Sequence, residues 1–182
     1  MTKRILALGG LAGIAMIALA AYAKRKETPL ETVPYVDVEK YMGIWYEIAS
    51  FPQQFQKGCH CTKAEYTLNK KEGFVEVKNS CRKNGADGKL DEATGKATIA
   101  DKKTNAKLEV EFFWPFKGKY WIIELASDYS YAVVGHPNRE YLWILSRTPK
   151  MDTATYDMLT AAAKAKGFNL KKLQKTDQSC VG

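Results

Sequence analysis

Histidine is scarce in this chain: only His60 and His136 occur among 182 residues. Catalysis needs a nucleophile and a base, or a paired acid and base, within reach of each other. His60 sits in a Cys-flanked segment and His136 in a turn, neither inside a predicted pocket, so both are read as surface residues. Cysteine is missing before Cys59. The thiol that a lipoprotein needs for lipid attachment at the end of its leader is therefore absent. Internal repeats and low-complexity tracts are absent too, and the length suits one domain with a substantial core. The formal charge is +8, yet no basic stripe exists. Lys70-Lys71, Lys102-Lys103 and Lys171-Lys172 are scattered with acids interleaved, which describes a solvated surface. Nucleic-acid binding has no motif to support it. Attraction to an anionic membrane surface is the one sharper use of this charge.

The amino terminus carries one long uncharged run. Lys3 and Arg4 precede Ile5 to Ala23, which closes in Ala21-Tyr22-Ala23. This is the grammar of a secretory signal peptide cut after Ala23. The run is also long enough to span a bilayer, and Lys24, Arg25 and Lys26 behind it resist translocation, as in a retained anchor. Residues 1–23 are thus signal peptide or anchor, and 24–34 a polar, extended linker. The four cysteines, Cys59, Cys61, Cys81 and Cys180, all lie in the exported part. An even count in an oxidising compartment predicts two disulfides with three possible connectivities. Cys59-His60-Cys61 does not have the spacing of a zinc knuckle, so no metal and no cofactor are expected.

From residue 35 onward short β-rich runs recur between turn residues. Strands are predicted near 43–52, 61–69, 73–82, 90–100, 106–114, 118–126, 129–135 and 140–147. Leu108-Glu109-Val110-Glu111-Phe112 and Phe74-Val75-Glu76-Val77 alternate as half-buried strands do. Eight sequential strands with hairpin-length connections predict an all-β, antiparallel up-and-down β-barrel over 35–182, a closure that leaves no exposed sheet edge. A β-sandwich is the rival. Thr153 to Lys166 is the single clear helix, with Asp152 as N-cap and Gly167 as terminator. Tyr156, Leu159, Thr160 and Ala163 give it one apolar face to lay outside the barrel. Phe168 to Lys175 is a last extended piece.

Three separated signatures carry the family resemblance. Gly43 and Trp45 stand in Tyr41-Met42-Gly43-Ile44-Trp45-Tyr46-Glu47-Ile48-Ala49. Asp128 and Tyr129 stand in Ser127-Asp128-Tyr129, and Arg147 ends Tyr141-Leu142-Trp143-Ile144-Leu145-Ser146-Arg147. In this order, with a helix after them, they resemble the conserved regions of the lipocalins, in the flavour of the bacterial outer-membrane lipocalins and apolipoprotein D. Each has a structural reason. Trp45 plugs the closed end, Gly43 lets the chain pass beside it, and Arg147 lies over the indole as a cation–π partner. Asp128 and Tyr129 make a turn.

The resemblance implies further expectations. Cys61 is tied to Cys180, leaving Cys59 with Cys81; a bulge would permit Cys59–Cys180 with Cys61–Cys81 instead. Tyr66, Asn79, Phe112, Tyr120 and Trp143 resemble pocket-lining positions for an apolar ligand such as a fatty acid or lysophospholipid, although in a small barrel such side chains also serve as core filling. From its place on the first strand, independently of the resemblance, Glu47 is read as pointing inward to hydrogen-bond a ligand or a tyrosine rather than to catalyse. Phe113-Trp114-Pro115-Phe116, beside Lys117 and Lys119, falls between the fifth and sixth strands at the open end, where it can dip into a membrane or meet a neighbouring loop or a dimer partner. The implied role is storage or transport of that ligand in the periplasm or outer membrane of a bacterium, by a monomer or homodimer that is not an enzyme. A loop-mediated protein-binding or inhibitory module is the alternative, and a lipocalin-fold enzyme a more distant one.

Overall fold

The strand-forming stretches are rich in β-branched and aromatic residues and are cut by Gly, Asn and Pro, so each run pairs with the next through a short turn. The structure is a computed structural model that describes residues 28–180. The signal peptide or anchor read over 1–23, the first residues of the linker and the last two residues lie outside the described residues. A single helical turn, α1 (Val38–Tyr41), is capped by the Asp37 carboxylate, which accepts from the backbone N–H groups of Glu39 and Lys40. Then come β1 (Gly43–Ser50), a 3₁₀ turn (Gln54–Gln56), β2 (Cys59–Asn69), β3 (Phe74–Lys83) and β4 (Leu90–Ile99). β5 (Lys107–Phe113), β6 (Phe116–Leu125), β7 (Tyr131–Gly135) and β8 (Leu142–Ser146) follow, then α2 (Thr153–Ala165), a 3₁₀ turn (Leu170–Lys172) and β9 (Gln174–Lys175).

Every neighbour in the sheet is antiparallel, in the order β2-β3-β4-β5-β6-β7-β8-β1-β9, and β1 also pairs with β2. That second pairing closes eight strands into the predicted barrel and rules out two stacked layers. β9 adds to the end of β1, at Ala49 and Ser50.

Alternation splits the apolar residues between two cores. The inner core holds Trp45, Tyr66, Val75, Val77, Ile122 and Val134. The outer core holds Phe51, Ile123, Val133 and Ile144, covered by Leu159 and Ala163 of α2 and by Phe168. Burial of that face is what keeps a helix of 13 residues in place, since alone it would be marginal. The segment read as a linker is extended but packed: Leu30 is buried in the outer core, and the Val33 N–H donates to the Ile122 carbonyl at 3.0 Å.

Two local differences from the expectations have clear causes. β2 begins at Cys59 rather than 61 and carries a bulge between His60 and Lys63. Cys61 sits there at φ 54°, its N–H donating to the Asp177 carbonyl at 2.7 Å. The bulge is present but does not swap the pairing as expected of it: Cys61 is bonded to Cys180 in the carboxy-terminal segment and Cys59 to Cys81. The second difference is the apolar connection of β5 and β6. Phe113 and Phe116 are paired strand residues, so it is a tight hairpin with only Trp114 and Pro115 at its tip.

Candidate ligand cavity

The closed end is built around one indole. Trp45 is fully buried, and its Nε1–H donates to the Tyr41 carbonyl at 2.9 Å. The Arg147 guanidinium lies over its face, with Cζ 3.9 Å from the ring centroid. The same guanidinium donates to the carbonyls of Ile44 (2.9 Å), Lys40 (2.8 Å) and Tyr129 (3.3 Å). It therefore ties the helical turn α1, strand β1 and the turn before β7 to β8. Gly43 takes φ 92°, a conformation in which any side chain is strained, so the backbone favours glycine there, while a Cβ would make only an ordinary contact, 3.4 Å from Arg147 Nη1. The Tyr129 hydroxyl accepts from the Asp37 N–H at 2.8 Å. The Asp128 carboxylate accepts from the Ser130 N–H at 3.0 Å, and hydrogen bonding to Ser130 holds its carboxyl below the usual carboxylate range. Gly43, Trp45, Asp128, Tyr129 and Arg147 thus meet as one stopper at the base.

Above the stopper the barrel is hollow. A cavity of about 620 Å³ opens toward the β5–β6 hairpin, with Tyr66, Asn79, Phe112, Tyr120 and Trp143 all on its wall. Alternation explains their convergence. Tyr66 faces Val77 across β2 and β3, and Ala64 faces Asn79, so even residues of β2 and odd residues of β3 share the inner surface. Phe112 fits because its neighbour on β4 is Gly95; a Cβ there would come within 2.8 Å of the Phe112 ring. Trp143 stacks with Tyr141 toward the mouth, at 6.2 Å between centroids.

Between cavity and stopper lies a cluster of three phenols. The Tyr120 hydroxyl meets that of Tyr41 at 2.8 Å and that of Tyr66 at 3.0 Å. Burial raises all three pKa values, Tyr66 to about 12, so the phenols stay protonated and neutral in ordinary conditions. Tyr41 was expected only as part of a motif. It joins this cluster because α1 turns its side chain inward, and a four-residue helix leaves no periodicity to read.

Glu47 does point inward and is buried, but its partners are not tyrosines. Its carboxylate accepts from Ser50 Oγ (3.0 Å), Gln56 Nε2 (2.8 Å) and Thr176 Oγ1. It thereby fastens the 3₁₀ turn and the carboxy-terminal segment to β1. Beside it, the buried Gln53 amide has neither of its polar atoms paired among the described residues. Nothing in the sequence marks Gln53 for this place. His136 departs from its reading as a surface residue away from the pocket. It is half-buried, lines the cavity and meets the Tyr141 ring edge-on, because the β7–β8 turn lies at the open end of the barrel with the β5–β6 hairpin. His60 stays at the surface, with Nδ1 2.9 Å from Asp177 Oδ2.

The mouth is rimmed by apolar groups in water. Phe113 is 76%, Trp114 84% and Phe116 77% exposed. Lys63, Lys117 and Lys119 border the cavity from outward-facing strand positions, and Lys117 lies 3.9 Å from Glu109 and 4.0 Å from Glu111. Among the described residues, no three His, Cys, Asp or Glu side chains converge to hold a metal ion. No described helix is long and apolar enough to cross a membrane.

Comparison with known proteins agrees with this geometry. The lipocalin-like domain family matches residues 36–178. Temperature-induced lipocalin-1 of Arabidopsis thaliana is 44% identical over 159 residues, covering 82% of this chain and 83% of the relative. Outer membrane lipoprotein Blc of Escherichia coli is 36% identical over 169 residues, covering 93% and 94%. Apolipoprotein D of Macaca fascicularis is 35% identical over 181 residues, covering 94% and 92%. Insecticyanin of the tobacco hornworm Manduca sexta superimposes with a TM-score of 0.66 at 22% identity, covering 82% of this chain and 85% of that one, which speaks to the fold alone. With its stoppered eight-stranded barrel and this match over most of its length, the chain belongs to the lipocalin-like family, whose members generally bind hydrophobic small molecules.

Proposed function

We propose that this protein stores or carries a hydrophobic small molecule of the fatty-acid or lysophospholipid class inside its barrel, without chemically changing it. The cavity carries this reading. Its volume of about 620 Å³ falls within the roughly 300–1,000 Å³ of small-molecule sites. Its wall is largely apolar and aromatic, with a few polar groups to orient a guest. The Glu47 carboxylate is occupied by three donors, and all four cysteines are paired, so neither supplies a free acid–base or thiol group.

The exposed hairpin tip supports exchange of the guest at a membrane surface. Phe113 and Phe116 line the cavity as well as its rim, so a chain leaving a bilayer meets apolar contact continuously from interface to interior. Flanking lysines favour an anionic surface. Work in the periplasm or at the outer membrane, in maintenance of the cell envelope, is supported by the two disulfides, which persist in oxidising compartments, and by likeness to outer membrane lipoprotein Blc.

Native mass spectrometry of the exported protein, with extraction of what travels with it, tests the carrier reading. An amphiphile of lipid mass at one per barrel is expected. A stoichiometric protein partner with no lipid would replace it with the loop-mediated binding module. For the membrane step, Trp114→Ser with Phe116→Ser should abolish flotation with anionic liposomes; unchanged flotation ends that part.

A further inference from the structure

The floor of the cavity has one more hydrogen than its own side chains use. The Tyr41 and Tyr66 hydroxyls both lie on that of Tyr120, and among the described residues none of the three makes another hydrogen bond. Three phenols bring three donor hydrogens, and two contacts take up two. When Tyr120 donates to Tyr41, the spare hydrogen is on Tyr41. When Tyr120 donates to Tyr66, it is on Tyr66, and when Tyr120 accepts from both, it is its own. Tyr66 and Tyr120 line the cavity, whereas Tyr41 is packed behind them against Trp45. A spare hydrogen on Tyr41 would be shut among rings with no acceptor, so the arrangements that aim it into the cavity are favoured.

We propose that the cavity selects an amphiphile whose leading, buried end bears a neutral oxygen, a hydroxyl or a carbonyl, which accepts this hydrogen. Any anionic head stays at the mouth. This rests on the reading that the barrel holds an acyl-type molecule, and it adds which end enters and what that end carries. An ionised carboxylate fits the floor poorly. It needs several donors, the floor spares one, and the burial that keeps these phenols neutral penalises any other charge placed there. At the mouth water still reaches, so a charged head there keeps its hydration.

Calorimetric titration with hexadecanoate and 16-hydroxyhexadecanoate tests this, on protein freed of bound lipid by refolding from guanidinium. The two acids share a carboxylate and differ only in a terminal hydroxyl. A purely apolar pocket would bind the hydroxy acid roughly ten- to a hundredfold more weakly, because that hydroxyl loses its water without a partner. Here the hydroxy acid is expected to bind at least as tightly as hexadecanoate. In Tyr66→Phe with Tyr120→Phe its affinity relative to hexadecanoate should fall by about tenfold or more, with a cooperative thermal melt and an unchanged far-ultraviolet spectrum reporting an intact barrel. Rejection of the hydroxy acid by the unaltered protein, at the ordinary margin, overturns the proposal. So does a double variant that weakens both acids equally, which would mean the phenols hold the carboxylate or only shape the floor. Failure of both acids to bind the unaltered protein sinks the carrier reading itself, and this inference with it.

Discussion

Both ends of the barrel are aromatic, but in opposite states. At the closed end Trp45 is fully buried, its N–H is satisfied, and a guanidinium covers one face. At the open end Trp114 stands in water on a two-residue turn, with Phe113 and Phe116 beside it. Burial with every polar group paired stabilises the fold, whereas exposed rings add little to it and raise the tendency to meet another surface. The same residue type is therefore structural at one end and a contact surface at the other.

The contrast breaks most sharply through the stopper. Trp45→Ala should cost about 3–5 kcal/mol, the usual range for losing a large core aromatic, read as a large fall in the midpoint of denaturant unfolding. Arg147→Ala should cost about 2 kcal/mol, from a cation–π contact and charge-assisted hydrogen bonds to backbone carbonyls. Ligand affinity should move less than stability; a melt that does not shift, alongside abolished ligand binding, would show Arg147 to be a ligand group instead.

The phenol layer allows a test by pH. Tyr66 titrates at about 12 in the folded chain against an ordinary 10.0, raised chiefly by burial. Between those values the unfolded chain releases a proton that the folded chain keeps, so unfolding is coupled to proton loss. Stability is whole below pH 10 and declines as pH rises toward 12. Tyr41 and Tyr120 shift in the same direction. Tyr66→Phe should flatten part of this alkaline decline in chemical-denaturation midpoints; an unchanged slope would deny the phenol its buried environment. The smallest effect belongs to the mouth. Trp114→Ser with Phe116→Ser should leave unfolding free energy within about 0.5 kcal/mol of the parent, and a larger loss would make the hairpin part of the core.

Much of the architecture was legible before any coordinates. Period-two alternation in β3 and β5 showed which residues share a face, the hairpin-length connections gave the sequential strand order, and the Gly43–Trp45, Asp128–Tyr129 and Arg147 signatures pointed to the stopper. Element ends were less legible. β7 starts at Tyr131 rather than 129, because Tyr129 takes φ 62° and its backbone carbonyl serves Arg147. The site was readable only along strands. Tyr66, Asn79, Phe112, Tyr120 and Trp143 follow strand parity to one wall, whereas Gln53, Tyr41 and His136 arrive from turns, where no period exists to count.

The sequence by itself determined eight short antiparallel strands and one covering helix, since alternation, turn residues and capping are local properties of the chain; the pairing of β1 with β2 decided for the closed barrel over its sandwich rival. Only the tertiary structure decided between the two open pairings, giving Cys59–Cys81 and Cys61–Cys180, because the Cys61 backbone at the bulge is held to the carboxy-terminal segment through the Asp177 carbonyl. Only it brought three phenols together with a hydrogen to spare, since Tyr41, Tyr66 and Tyr120 lie far apart along the chain and meet where the strands close into a ring.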